Sequence, residues 1–393
     1  MTKNDMTVQV LKAARCGAIF VMLAVSGFVV LASGASAGED VVPEPFRPHA
    51  KVASVEIKYD DWTYILHSTV FDAGRSDRRA APTPKPQLGR LTVKVNTSST
   101  RLEGNRLHFP AFDDDNLEAL TRIRREFEAL PGAVPMAEWS RNQQLAYWLN
   151  LHNITVVEQL AQRYPERHLR KVMKKLRKKK LLRVAGVKLS LDDIHHDILI
   201  AKWQDPLVMY GLWQGYVGGP NIRREAYTAD NVYQLLKENA VEFINSNRGV
   251  KVKNGTLQVA AYYRENSALF PGGEPEFRDH LAAYADLYFA GRIQRADEIR
   301  MTTSDYYIAD LFEGVPVDIN PNAVNPAALQ TAGNGPEWSN FAASAGGREW
   351  ANVPPHVMSY VMDIRRKLAK RKSRVSVEEV DRGEVPPGED APQ

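Results

Sequence analysis

Hydrophobic positions recur at helical spacing in three clear stretches of the chain. The strongest stretch follows Ser140 and stops before Pro165; its stripe is Leu145, Trp148, Leu149, His152, Val156 and Leu160. A second stretch covers residues 113–130 behind a cluster of Asp residues, with the stripe Leu117, Leu120, Ile123 and Phe127. A third begins at Asp60 or Asp61, either of which could cap it, and its apolar face is Trp62, Ile65, Leu66 and Val70; its β-branched residues leave a strand as the alternative. The spacing predicts an amphipathic helix in each stretch.

Weaker signals predict shorter elements elsewhere. Ser190 to Asp193 has the spacing of a capping box and should open a helix through Ile194, Ile198 and Leu199. Further helices are expected over residues 231–245, 275–290 and 304–312. Strands are expected over residues 91–95, 106–109 and 184–189, and a hairpin over 250–260 that turns at Asn254 and Gly255. The expected fold is α+β, a mainly helical single domain with a small antiparallel sheet.

The ends of the chain differ in composition from its middle. Residues 38–50 and 73–90 carry prolines among small and charged residues, and we expect extended linkers there, with no regular element. We predict a globular domain over residues 51–318 and an irregular C-terminal region over 319–366. Residues 367–393 are strongly charged and predict a disordered tail.

The first 37 residues predict export. A basic start with Lys3, Lys12 and Arg15 precedes an apolar run over residues 16–32, and small residues end the segment at Ala37. We expect a signal peptide cleaved after Ala37 and a periplasmic or secreted product; the alternative is an N-terminal membrane anchor. Since Cys16 is the single cysteine of the sequence, the cleaved chain would have no thiol for a disulfide, a metal or a nucleophilic attack.

Residues 167–183 form the most charged segment of the chain. They contain ten Lys or Arg residues and no acid, whereas the whole chain has a net charge of only +4. A helical stripe of Leu169, Val172, Met173 and Leu176 predicts a basic amphipathic helix, with Lys171, Lys174, Lys175 and Lys178 as candidate anion-binding residues. An anionic envelope polymer or a membrane surface would be the partner. The alternative is a packed helix whose lysines are merely solvated. No aromatic residue separates the charges, which argues against single-stranded nucleic acid.

The middle of the chain contains three motifs in succession: Trp148 to Asn153 (WLNLHN), Ser190 to His196 (SLDDIHH) and Gly219 to Tyr227 (GPNIRREAY). In this respect residues 139–259 resemble the family called domain of unknown function 547. The resemblance implies an α+β domain and no settled chemistry. The family has cysteines where this chain has Gln214 and Gly219, and it has Glu and Tyr where this chain has His195 and His152. A cysteine nucleophile paired with His196 is therefore impossible here.

The candidate functional residues follow from these motifs. His196 is the candidate base; Asn150 and Asn153 lie three apart on one helix face and, with Gln214 and Arg223, are candidate ligand-binding residues. For the two asparagines the alternative is that they satisfy buried backbone groups. Adjacent histidines on a helix point about 100° apart and cannot both bind one ion without another, distant ligand, so we predict no metal site at His195 and His196. The alternative to a base at His196 is a hydrogen-bonded or solvated structural pair of histidines. We also expect no cofactor.

Two hypotheses about function follow. The first is a non-catalytic or catalytically degenerate binding module of the cell envelope. The second is a hydrolase or acyl-transfer enzyme that uses His196 as base on water or substrate.

Overall fold

The computed structural model describes residues 41–83 and 96–314 of the chain, and its fold is α+β and mainly helical, as predicted. The helices are α1 (Asp60–Thr69), α2 (Asp114–Ala133), α3 (Arg141–Ala161), α4 (Arg170–Leu176), a π-helix (Asp193–Ile200), α5 (Ala201–Trp203), α6 (Val232–Ile244), α7 (Tyr262–Glu265), α8 (Glu274–Tyr284) and α9 (Leu287–Gln294). The strands are β1 (Val70–Phe71), β2 (Arg106–Leu107), β3 (Leu182–Val184), β4 (Val187–Leu189), β5 (Val250–Lys253), β6 (Thr256–Ala260) and β7 (Glu298–Thr303). The predictions for residues 1–37, 91–95 and 319–393 fall outside the described residues.

The buried side chains form two hydrophobic clusters that α6 connects. The first cluster surrounds α3 and contains Leu235 and Leu236 of α6. The second lies under β5, β6, α8 and α9 and contains Phe243 and Ile244 from the other end of α6. One helix thus contributes apolar side chains to both clusters.

Helix α3 is buried on every face, whereas α1 and α2 bury one stripe each. Ser140 caps α3 through a reciprocal capping box with Gln143, as its position before the hydrophobic stretch suggests. Trp148 of α3 packs edge-on against Phe46, with the ring centroids 4.9 Å apart. Phe46 belongs to a short 3₁₀ helix, Glu44–Phe46, and is fully buried. The expectation of no regular element in residues 38–50 is therefore wrong at this point, because an aromatic anchor outweighs the local effect of the prolines.

The strands form three small sheets. The predicted hairpin of β5 and β6 is confirmed, with Asn254 and Gly255 both at positive φ in its turn. Residues 184–189, predicted as one strand, belong to the β3–β4 hairpin, which turns at Ala185 and Gly186. The sheets are not all antiparallel, since β7 adds to β6 in parallel.

The predicted helix over residues 304–312 is wrong. Its backbone instead makes isolated bridges from Tyr307 to His168, from Ile308 to Tyr216 and from Asp310 to Leu107. Ile308, Leu311 and Phe312 are buried by this arrangement. Pairing with three distant segments outweighs the local helical spacing.

Other helix boundaries differ from the predictions where a side chain captures the backbone. The expected helix over residues 275–290 is two helices, α8 and α9, because the Asp286 amide donates to Asn245 Oδ1 at 2.7 Å. Helix α1 begins as expected, but no Asp side chain caps it. None of the helices within residues 41–83 and 96–314 has the length and apolarity needed to cross a bilayer.

Candidate functional site

His196 lies on the π-helix, close to the end of the hairpin that precedes it. The predicted capping box is present: the Asp193 amide donates to Ser190 Oγ at 3.2 Å, and the Ser190 amide donates to Asp193 Oδ2 at 2.6 Å. The helix that follows has the wide turns of a π-helix. This form is rare in proteins overall, and where it occurs it is often at a functional site. Its start is therefore held in place by the residues that the sequence motif contains.

His195 and His196 are stacked rather than splayed. Their ring centroids are 4.1 Å apart and their planes differ by 17°. The expected separation of about 100° assumes an α-helix, whereas the larger number of residues per turn in a π-helix brings neighbouring side chains closer in direction. The two imidazoles thus form one unit, of which His195 is the buried half and His196 the partly exposed half.

Hydrogen bonds define the protonation of His195. Asn266 Nδ2 donates to the Tyr262 carbonyl at 2.9 Å, which orients the amide and leaves Asn266 Oδ1 as an acceptor 2.7 Å from His195 Nε2. His195 Nε2 is therefore the protonated nitrogen. His195 Nδ1 is enclosed and has no hydrogen-bond partner among the described residues, and burial lowers the pKa of His195 well below its ordinary value.

Arg177 supplies the main positive charge beside His196. Its guanidinium pairs with Asp192, at 2.8 Å, and with Glu265. Burial lowers the pKa of His196 and the charge of Arg177 lowers it further, while Asp192, Glu265 and Asp197 act in the opposite direction. His196 is accordingly a neutral imidazole at neutral pH, which is the form a general base requires.

Asn150 and Asn153 both bind the backbone of the segment that follows α5. Asn150 Nδ2 donates to the Tyr227 carbonyl at 2.7 Å, and its Oδ1 accepts from the Tyr227 amide at 3.0 Å. Asn153 donates to the Gly211 carbonyl at 2.9 Å and accepts from the Trp213 amide at 3.0 Å. These contacts match the alternative in which the two amides satisfy buried backbone groups of an adjacent loop.

Gln214 and His152 are buried as well. Gln214 is 1% exposed, and its Nε2 donates to the Leu212 carbonyl at 3.0 Å. His152 Nδ1 lies 3.1 Å from Asn153 Oδ1, and burial lowers the pKa of His152 to about 4. The polar side chains around α3 therefore hydrogen-bond to one another and to backbone groups of the same chain.

Arg223 lies elsewhere, in a cleft of about 570 Å³ whose lining includes none of the other candidate residues. Its guanidinium pairs with Glu238 of α6 and lies 3.4 Å from Asn239 Oδ1. The sequence-predicted residues thus do not share one site, since Arg223 lines this cleft and none of the others does.

The basic segment is shorter as a helix than predicted. Helix α4 ends at Leu176, and a turn leads into β3 because Arg177 binds Asp192 twice, through its side chain and through its carbonyl, which accepts from the Asp192 amide. Leu169, Met173 and Leu176 are buried, as the stripe indicates. Lys171, Lys174, Lys175 and Lys178 are exposed, as are Arg170, Lys179 and Lys180, and we call the first four the lysine surface.

Sequence reasoning missed the partners of the histidine stack. Arg177 was hidden among ten basic residues, and its only distinguishing signal is that it follows the buried stripe residue Leu176. Glu265 and Asn266 come from α7 and its end, roughly seventy residues away, and no motif marks them. Within the described ranges no three His, Cys, Asp or Glu side chains are grouped so that they could hold a metal ion.

Comparison with known proteins gives one similarity, to a family. No curated protein and no solved structure matches the chain. Residues 136–244, from the start of the segment before α3 to the last residue of α6, match the family described as "Protein of unknown function, DUF547". The resemblance seen in the three motifs is therefore confirmed, and this chain carries a DUF547 domain over residues 136–244.

Proposed function

We propose that this protein is an exported, non-catalytic binding module of the cell envelope, and that it attaches to an anionic polymer through the lysine surface. The observation that carries the proposal is a group of four exposed lysines, three of them on α4 and Lys178 in the turn that follows it. The spacing of Lys171, Lys174 and Lys175 gives these three a common direction, opposite the buried Leu169, Met173 and Leu176.

The charges of the lysine surface are not used inside the fold. None of its four lysines pairs with an acid in residues 41–83 and 96–314, although Arg177 and Lys180 of the same segment do. An exposed row of unpaired ammonium groups creates a positive field that a polyanion can neutralise. The segment is anchored from below by its apolar side chains, so its lysines project from a fixed backbone.

The described surroundings of His196 favour a binding role over catalysis by a nucleophile of the chain itself. A nucleophile activated by His196 would need to lie within hydrogen-bond reach of its imidazole. No hydroxyl or thiol of the described residues is hydrogen-bonded to His196, and Gln214, at the position of a family cysteine, donates its amide to its own loop. The cleaved chain would also contain no cysteine.

Binding to heparin, a polyanion, immobilised on a column tests the proposal. The full chain should bind heparin at low salt and elute as NaCl rises, because the Debye length falls from about 30 Å at about 10 mM to about 3 Å at about 1 M. The variant with Lys171, Lys174, Lys175 and Lys178 changed to Gln should elute at clearly lower NaCl.

A matched variant controls for total charge. Changing Lys51, Lys58, Lys253 and Arg295 to Gln removes the same charge from exposed positions outside the lysine surface. This variant should elute close to the unmodified chain. Equal shifts for the two variants, or no retention of the unmodified chain at low salt, would contradict the proposal.

We keep a hydrolase or acyl-transfer activity as the second candidate, because His196 is partly exposed, neutral and flanked by Asp192 and Asp197. It predicts that a panel of ester and amide substrates contains one whose turnover is lost in His196→Gln and kept in His67→Gln, a histidine outside the stack. Equal turnover in the two variants would exclude His196 as the base.

A further inference from the structure

The cleft that contains Arg223 has the size of a small-molecule site. Four pieces of chain surround it: the segment after β1 at Asp72, Gly74 and Arg75; Asn105 before β2; residues 221–225; and one face of α6. Its volume of about 570 Å³ lies within the range of about 300–1,000 Å³ that is usual for ligand pockets. The cleft belongs neither to the lysine surface nor to the histidine stack.

The side chains that line the cleft are mostly polar or charged, and their charges balance. Val241 is the one apolar side chain among the residues that line it, and no aromatic ring is among them. The lining therefore offers no face on which a nucleobase could stack. Four cationic and four acidic side chains are present: Arg75, Arg223, Arg224, Lys237, Asp72, Glu225, Glu238 and Glu242. A ligand with a high net charge of either sign would meet repulsion as well as attraction.

Half of these charges are already paired. Arg223 pairs with Glu238, Glu242 with Arg248, and Arg75 with Asp286. The other four, Arg224 and Lys237 on the positive side and Asp72 and Glu225 on the negative side, make no ion pair with any residue that the structure describes. Two cations and two carboxylates thus lack an ion pair there, although Arg224 Nη2 donates to the His67 carbonyl at 3.2 Å and Asp72 Oδ1 accepts from the Gly74 amide at 2.7 Å.

Asn221 adds a buried and oriented donor to the cleft. Its side chain is 7% exposed, and its Oδ1 accepts from the Asn105 amide and from Arg248, each at 2.8 Å. These two bonds fix the amide, and its Nδ2 donates to no acceptor in residues 41–83 and 96–314. Nδ2 is not among the enclosed unpartnered atoms, so a ligand can accept from it. Arg224 Nε, in contrast, is enclosed and has no partner among the described residues, while Arg224 Nη2 donates to the His67 carbonyl at 3.2 Å.

We propose that this cleft binds a small zwitterion of the amino-acid or short-peptide class. The carboxylate of the ligand binds Asn221 Nδ2, Lys237 and Arg224, and its ammonium group binds Asp72 and Glu225. A molecule with one charge of each sign satisfies the free groups and leaves the balance of the cleft unchanged. The proposal does not depend on the proposed function, since it uses none of the lysine surface.

Isothermal titration calorimetry of the full chain with three related probes tests the ligand class. Glycylglycine carries both charges, N-acetylglycylglycine lacks the ammonium group and glycylglycinamide lacks the carboxylate. Glycylglycine should bind about tenfold more tightly than either of the others, as expected for the loss of one charge-assisted hydrogen bond. Absence of glycylglycine binding, or equal affinity for all three, would overturn the proposal.

Two exposed residues test the orientation with little risk to the fold. Lys237→Gln should weaken the binding of glycylglycine and N-acetylglycylglycine about threefold and leave that of glycylglycinamide unchanged. Glu225→Gln should instead weaken the binding of glycylglycinamide and leave that of N-acetylglycylglycine unchanged. Lys253→Gln, an exposed lysine outside the cleft, should change none of the three affinities. If Lys237→Gln and Glu225→Gln affect both capped probes equally, the oriented binding of a zwitterion is wrong.

Discussion

Helices α3 and α4 are consecutive in the chain and use polar side chains in opposite ways. In α3 the polar residues Asn150 and Asn153 are buried, and each bridges two backbone groups of a neighbouring loop. In α4 the lysines are exposed and have no acidic partner among the described residues. Spacing at three and four residues marks both sets equally in the sequence. Burial is what separates a polar group that builds the fold from one that is free to meet a partner.

The comparison predicts that substitutions in α3 mainly change stability and that substitutions on the lysine surface mainly change binding. Four measurements test this division, beginning with the largest expected change in the free energy of unfolding. All refer to the full chain.

The largest effect is expected for Trp148→Ala. Trp148 is fully buried between Phe46 and Tyr147, with ring centroids 4.9 and 5.0 Å away, so its removal leaves a large cavity. The free energy of unfolding should fall by about 4 kcal/mol, measured by urea denaturation. Trp148→Phe, which keeps an aromatic ring, should cost clearly less. A loss under about 1 kcal/mol in Trp148→Ala would mean that the N-terminal segment does not pack on α3.

Asn150→Ala should have the next largest effect. It leaves the amide and the carbonyl of Tyr227 without their partners inside the fold, at about 1–3 kcal/mol for each unsatisfied group. We expect a loss of about 3 kcal/mol in the same denaturation experiment. Gln234→Ala, an exposed amide on α6, is the control and should change the free energy of unfolding by less than about 0.5 kcal/mol. A small loss in Asn150→Ala would reopen a ligand-binding role for this side chain.

These two residues also show what the sequence predicts well. The helix that contains them follows from a long hydrophobic stripe, a capping residue at Ser140 and a proline after its end, all of which are local signals. The hairpin of β5 and β6 follows in the same way from Asn254 and Gly255. Local signals of this kind survive folding because tertiary packing agrees with them.

The incorrect predictions share a non-local cause. Residues 304–312 have helical spacing but pair with His168, Tyr216 and Leu107, which lie far away in the sequence. His195 and His196 belong to a motif of the sequence, but their stacking is not predicted, and the hydrogen bond of His195 to Asn266 and the ion pair of Arg177 with Glu265 depend on where α7 packs. Of the residues that line the cleft, Arg223 is the one that the sequence predicts as a candidate site residue. A pattern within one segment cannot specify which distant segment will lie beside it.

A third measurement uses pH to distinguish buried from exposed groups in α3. Burial lowers the pKa of His152 from 6.5 to about 4, so the folded chain holds this imidazole neutral. The contribution of His152 to the free energy of unfolding is complete above pH 6.5, where its imidazole is neutral in both the folded and the unfolded chain. It is lost as pH falls from 6.5 towards 4, because the unfolded chain gains a proton that the folded chain does not.

The variant His152→Gln isolates this contribution. Relative to the variant, the unmodified chain should lose about 2 kcal/mol of its free energy of unfolding between pH 8 and pH 5. Urea denaturation of both chains at several pH values measures the difference. A difference that does not change with pH would show that His152 is accessible to water, and α3 would then not be buried on every face.

The smallest change in stability is expected on the lysine surface, where Lys174→Gln should alter the free energy of unfolding by less than about 0.5 kcal/mol. Its ammonium group is exposed and pairs with no acid in the part of the chain that the structure describes, so the fold loses no contact that the charge supplied. The same substitution should lower the NaCl concentration at which the chain elutes from heparin, by about a quarter of the shift seen when all four lysines are changed, since each removes one charge from the same surface.

Met173→Ala, one position earlier, is the matched control. Met173 is 3% exposed beneath that surface, so its truncation should cost about 2–3 kcal/mol while heparin elution of the folded protein stays unchanged. Should Lys174→Gln destabilise the chain as much as Met173→Ala does, the lysine would be part of the fold, and the contrast between α3 and α4 would fail.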